Sequence, residues 1–95
     1  MFERQRPDAL FCVNDLSACG TLDVLRQELG LRVPQDVKVI GHDAIQMGNW
    51  SAYRLTSFTI DIDVYVESML YGLENRPGSA VVVVPPRLIE RGSTA

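Results

Sequence analysis

Two adjacent polar pairs, Asn14-Asp15 and His42-Asp43, each directly follow an apolar run. They carry the side chains best suited to chemistry in this chain. An asparagine amide both donates and accepts hydrogen bonds, and an aspartate accepts from two neighbouring hydroxyls. Asn14 and Asp43 together therefore suit a neutral polyol or sugar. The same residues also shape turns and cap helices, and Asp15 is a good N-cap for the segment that follows it. Catalysis has less support. His42 is the only histidine, no Cys/His/Asp cluster has metal-ligand spacing, and no glycine-rich phosphate loop occurs. A triad drawn from Cys12, His42 and Asp43 fails on geometry, because Cys12 lies inside an apolar run and adjacent His42 and Asp43 orient each other poorly. The residues read as a non-enzyme that needs no cofactor and no metal.

The surrounding elements place these pairs. Ala9–Val13 (ALFCV) is a continuous apolar run, the pattern of a parallel strand buried on both faces. Leu16, Cys19, Leu22, Leu25 and Leu29 then fall at helical steps and form one stripe, and Gly30 supplies a stop. Leu31–Asp36 is a connection containing Pro34, and Val37–Gly41 (VKVIG) is a second strand. A strand, helix and strand in so short a span require a crossover, so the two strands are parallel. Asn14-Asp15 and His42-Asp43 then project from one edge, where open α/β sheets bind ligands. Trp50 and Tyr53 lie in the next loop, where an aromatic ring stacks on a sugar face, anchors a subunit contact or simply packs.

Further on, Arg54–Ile62 alternates and reads as extended. Val64–Glu74 returns to helical spacing through Val66, Met69, Leu70 and Leu73. Asn75–Ser79 (NRPGS) is a turn signal, Ala80–Val84 a strand, Pro85-Pro86 a break, Arg87–Arg91 a last short strand, and Gly92–Ala95 a polar tail. Strands alternating with helices predict an α/β fold with a mainly parallel sheet.

The 95 residues allow one small domain, with 46% hydrophobic and 22% charged residues in ordinary globular proportion. The net charge of -3, with the nine Lys and Arg scattered, supplies no basic face for nucleic acid. The two cysteines, Cys12 and Cys19, read as reduced and buried. No signal peptide opens the chain and no apolar run is long enough to span a membrane, so the expectation is a soluble cytoplasmic protein with no membrane partner.

Four segments in order carry a family resemblance: Arg6–Asp15 (RPDALFCVND), Gly30–Asp43 (GLRVPQDVKVIGHD), Leu55–Thr59 (LTSFT) and Leu88–Ser93 (LIERGS). Over nearly the whole chain these resemble LacI/GalR-type regulators, and the LRVPQDVKVIGHD run is the most specific of them. The resemblance implies a periplasmic-binding-protein-like (type I) core of two lobes behind an N-terminal helix-turn-helix domain, with an effector, a sugar or related small molecule, bound between the lobes. This chain resembles roughly the last third of that core, an incomplete lobe. By that similarity residues 1–57 and 86–95 belong to the C-terminal lobe, and residues 60–84 to a segment that packs in an absent N-terminal lobe. Exposed apolar surface is then expected on Val66, Met69, Leu70, Leu73 and Val81–Val84.

The same similarity makes Asn14 and Asp43 effector-binding residues, and makes His42, Trp50 and Ile60 candidate effector or dimer contacts. It also makes the parent a homodimer, with Cys19, Asp23 and Trp50 as exposed interface candidates, and leaves DNA binding to a domain absent from this chain. The sequence departs from the family pattern at Ile60, where a glutamine is common, at His42, where an aromatic is common, and at Ala44, where a second acidic residue is familiar. The alternatives are a fragment of a periplasmic sugar-binding protein of a transport system, built on the same fold, and a truncated remnant.

Overall fold

A computed structural model describes residues 6–75 and 84–95. A four-stranded sheet runs in the order β1-β2-β3-β4, with β1 Ala9–Phe11, β2 Lys38–His42, β3 Thr56–Thr59 and β4 Arg87–Ile89. The first three strands are parallel, with Phe11 opposite Ile40 and His42 opposite Phe58, and β4 pairs antiparallel to β3. This is the mixed, parallel-dominated α/β architecture the sequence predicts. The expected strand at Ala80–Val84 falls mostly outside the described residues, and Val84 is not in a strand.

Between β1 and β2 runs helix α1, Asp15–Asp23, extended by a π-helical turn over Val24–Glu28. Gly30 ends it at φ 64°, a left-handed position that costs glycine little. The cap differs from expectation. Asn14, extended at φ -153°, is the N-cap, and its Oδ1 accepts from the Ser17 N–H at 2.8 Å. Asp15 is instead the first helical residue and is completely buried. The buried stripe of α1 is therefore Asp15, Ala18, Cys19, Leu22 and Leu25, while Leu16 and Leu29 are exposed. A step of one residue rotates a side chain by about 100° around a helix, which carries Leu16 off the core face.

The core joins α1 to one face of the sheet through Ala18, Cys19, Leu22, Leu25, Val37, Val39 and Leu55. Each fully buried aliphatic side chain there contributes about 1.5–3 kcal/mol. Strand β1 is not covered on both faces: Ala9 and Phe11 are exposed on the side away from α1, with Leu10 half-buried. On that open side the Phe11 and Phe58 rings sit 6.0 Å apart, tilted by 50°.

The extended segment expected at Arg54–Ile62 is shorter. Arg54 has φ 44°, only Thr56–Thr59 forms β3, and Ile62 already opens α2, Ile62–Asn75. Leu55, Thr56 and Ser57 are buried in succession, so the alternation read from sequence is not realised there. The tail also differs from expectation. Ser93 is completely buried. Its Oγ accepts from the Thr56 N–H at 2.8 Å and donates to the Val39 carbonyl, and its own carbonyl accepts from the Val39 N–H at 3.1 Å.

Among the described residues helix α2 makes no extensive packing with any other element. Val66, Met69, Leu70 and Leu73 are 46% to 68% exposed, as expected; Val81–Val83 lie outside the described residues. The radius of gyration is 17.0 Å, against about 12 Å for a compact chain of this length.

Candidate functional site

The C-terminal ends of the three parallel strands share one edge of the sheet, and the chain leaves that edge through Asn14, through His42-Asp43 and through Ile60. Strand pairing therefore brings four of the sequence-selected residues to one edge. Asn14 spends its oxygen on the helix cap, which leaves its NH₂ group as a donor. Asp43 is 54% exposed at its side chain, with Oδ1 held 3.0 Å from His42 Nδ1. A carboxylate oxygen accepts, so the ring N–H is the donor, and no protein group among the described residues engages Oδ2. The two side chains do orient each other, contrary to the sequence argument: the turn at Asp43 swings its carboxylate back onto the ring. Cys12, half-buried, has its Sγ 3.7 Å from Thr21 Oγ1 and takes no part in this pair. Amide donor and carboxylate acceptor on one edge match the two halves of a hydroxyl's hydrogen-bonding capacity.

Asp43 and Ala44 are non-glycine residues at φ 109° and 55°. Such backbone is sparsely populated and costs of order 1–3 kcal/mol per residue unless the surroundings hold it. Gly41, just before, lies against Asp15: a Cβ there would overlap Asp15 Oδ1 and the Leu55 side chain. The VIGHD run thus combines a close approach, a strained turn and an exposed acceptor.

Trp50 does not join the edge. It is 56% exposed and closes the 3₁₀ turn Gln46–Asn49, whose loop is tied to the flank of α1 by Arg26 to the Ala52 carbonyl and by Tyr53 Oη to Asp23 Oδ2 at 3.3 Å. Desolvation, then the charge of Asp23 and the hydrogen bond to it, raise the Tyr53 phenol above its usual range. Cys19 is buried, which removes it from the exposed interface candidates, while Asp23 and Trp50 remain exposed. Burial first, then the charges of Asp15 and Asp23, push the Cys19 thiol up.

Among the described residues, surface depressions lie elsewhere. One, about 460 Å³, is lined by Leu10, Gly20, Val24, Leu25 and Leu29 along α1, and another, about 320 Å³, lies between the start of α2 and Pro85-Pro86. Among the described residues no group of three or more His, Cys, Asp or Glu is placed to hold a metal, and no helix is long and apolar enough to cross a membrane.

Sequence reasoning missed Asp15 and Ser57 at this site. For Asp15 the signal was present: it lies three, four, seven and ten residues before Ala18, Cys19, Leu22 and Leu25, on their face of the helix. For Ser57 there was none, since its partners are remote in sequence.

The model of the periplasmic binding protein-like domain matches residues 1–94. The chain belongs to that family. This periplasmic binding protein-like chain is 35% identical over 98% of its length to the HTH-type transcriptional repressor PurR of Serratia proteamaculans. It is 38% identical, again over 98%, to the repressor of that name from Salmonella paratyphi B. It spans 28% of the length of each. Among solved structures it is similar to a LacI family transcriptional regulator from Arthrobacter sp. FB24 in complex with lactose, with a TM-score of 0.78 and 34% identity, covering 99% of this chain and 38% of that one. A LacI-type transcription regulator from Bifidobacterium animalis gives a TM-score of 0.77 and 35% identity, covering 98% and 35%. The likeness is thus to the effector-binding region of LacI-family regulators, and it favours the regulator reading over the transport-protein one.

Proposed function

We propose that this chain is part of the effector-sensing region of a LacI-type transcriptional regulator, that its effector is a sugar or related polyol, and that Asn14 and Asp43 hydrogen-bond it. The observation that carries the reading is Asp43 itself: a strained, exposed carboxylate with one oxygen anchored by His42 and the other unengaged, on the sheet edge that also bears the Asn14 amide donor. Backbone strain held at an exposed acceptor is a mark of a ligand site. The saccharide complexes of relatives, one with lactose and one with cellobiose, support the choice of ligand class.

In this reading the chain is not an enzyme, belongs to a cytoplasmic parent that forms a homodimer partly through Asp23 and Trp50, and reaches DNA only through a separate N-terminal domain. Residues 60–84 belong with a second lobe, and residues 1–57 with 86–95 belong to the C-terminal lobe. Effector binding shifts the population between conformations with different DNA affinity, by as much as the effector's contacts differ between them.

Isothermal titration calorimetry of the parent protein, with both lobes present, against a panel of neutral mono- and disaccharides tests this. At least one should bind, and Asp43→Ala should lose at least about tenfold in affinity, since a hydrogen bond to a charged group contributes about 1.5–3 kcal/mol. Absence of binding to any saccharide at millimolar concentration, or equal binding by Asp43→Ala, would reject it.

A further inference from the structure

The turn that presents Asp43 offers three consecutive backbone N–H groups, and each is engaged. Asp43 donates to the Phe58 carbonyl at 2.9 Å, Ala44 to Ser57 Oγ at 3.0 Å, and Ile45 to Asp15 Oδ2 at 2.8 Å. The Ser57 hydroxyl, which accepts from Ala44, donates onward to Asp15 Oδ1 at 2.7 Å. The two carboxylate oxygens of Asp15 therefore converge on one turn, one directly and one through Ser57. Asp15 and Ser57 are both completely buried, and Gly41 leaves the space that lets Asp15 reach the loop.

Asp15 is not needed as the helix cap, because Asn14 performs that task. A buried carboxylate without such a task is costly unless its hydrogen bonds serve something. The turn is what they serve. Ala44 and Asp43 hold left-handed backbone that an unrestrained chain leaves readily. Bonds to a charged acceptor in a low-dielectric interior are the strong kind that can hold it.

We infer that Asp15 and Ser57 are positioning residues, a buried carboxylate–hydroxyl relay that locks the Asp43–Ala44 turn and so fixes the direction in which the Asp43 carboxylate meets a ligand. The inference rests on the reading of Asp43 as an effector residue. Asp15 touches no ligand, and the relay acts only through the backbone of Asp43, Ala44 and Ile45.

The test is NMR-detected amide hydrogen exchange on the parent protein without ligand, followed by saccharide titration of the same samples. Asp15→Asn keeps the shape and replaces one acceptor oxygen by a donor. Ser57→Ala deletes the relay hydroxyl, and Ser57→Thr retains it. Asp15→Asn and Ser57→Ala should speed exchange at Ala44 and Ile45 by about tenfold or more relative to Val39, a core amide bonded to the Ser93 carbonyl. Ser57→Thr should restore slow exchange. Saccharide affinity should fall in the two relay variants and recover in Ser57→Thr, while Asp43→Ala loses affinity with the turn still slow to exchange. Unchanged exchange at Ala44 and Ile45 overturns the relay, and so does acceleration equal to that at Val39. Faster exchange with unchanged saccharide affinity also overturns it. Should Asp15→Asn not fold, the Ser57 pair carries the same comparison. Exchange is read without ligand, so a protein that binds no saccharide removes the effector reading while the relay is still decided by its own result.

Discussion

Helix α1 contains Ser17, Gly20, Thr21 and Asp23, yet its inner stripe from Asp15 to Leu25 is buried; helix α2 carries Ile62, Val64, Val66, Met69, Leu70 and Leu73, all of them exposed. The more apolar helix is the less covered one. Helix burial is set by the surface available to receive it. Short residues in α1 let it settle closely on Val37 and Val39 of the β2 segment, and a buried carboxylate is tolerated there because the Ile45 N–H of the loop beyond β2 and the Ser57 hydroxyl of β3 both donate to it. Helix α2 has the stripe of a core helix and no receiving surface among the described residues.

The sharpest way to break this comparison is to truncate one leucine in each helix. Leu22→Ala, at a completely buried position, should cost about 2–5 kcal/mol in urea denaturation. Leu70→Ala, at a position 54% exposed, should stay within about 0.5 kcal/mol. Equal losses would show that α2 is buried in solution. A smaller effect sharpens the account of how α1 begins. Asn14→Ala removes the cap and should cost about 1 kcal/mol, while Asp15→Ala, which strands two donors, should cost more. The reverse ranking in thermal denaturation would return the cap to Asp15.

The smallest expected effect lies in the connection after α1. Arg32 donates side-chain and backbone hydrogen bonds to the Asp36 carboxylate, at 2.8 Å from the backbone N–H, and holds it below the usual carboxylate range. A lowered folded value means that this contribution is complete above the unfolded carboxylate range and is lost as pH falls through the folded one. Asp36→Asn should therefore lower stability slightly at neutral pH, leave it unchanged below the folded carboxylate range, and flatten the acid limb by that same small amount, because the Arg32 partner is exposed. Parallel acid limbs in the two proteins would show that the pair does not matter.

Much of this was legible in the sequence. ALFCV and VKVIG read as parallel neighbours because only a crossover joins them in so few residues, and that placed Asn14 and Asp43 on one edge. The illegible part lay in single-residue phase and in long-range contacts. Asn and Asp are equally good caps, so the order Asn14-Asp15 does not say which caps and which turns inward; the stripe of Ala18, Cys19, Leu22 and Leu25 does. Ser57 and Ser93 look like solvent residues until the chain is folded, since Asp15 and Val39 are 42 and 54 positions away from them. The exposed outer face of β1 carries an apolar pattern that a sequence reader assigns to burial, because pattern reports what a surface wants and not what meets it.

The antiparallel pairing of Thr59 with Arg87 has an engineering consequence. The chain departs from the sheet and returns to it at adjacent positions, so in topological terms residues 60–86 are an insertion in a hairpin. None of the core residues Ala18, Cys19, Leu22, Leu25, Val37, Val39 and Leu55 lies inside it. A tight two-residue turn in its place would leave β3 and β4 joined as an ordinary hairpin, a minimal scaffold that keeps α1, the sheet and the Asp43 edge together.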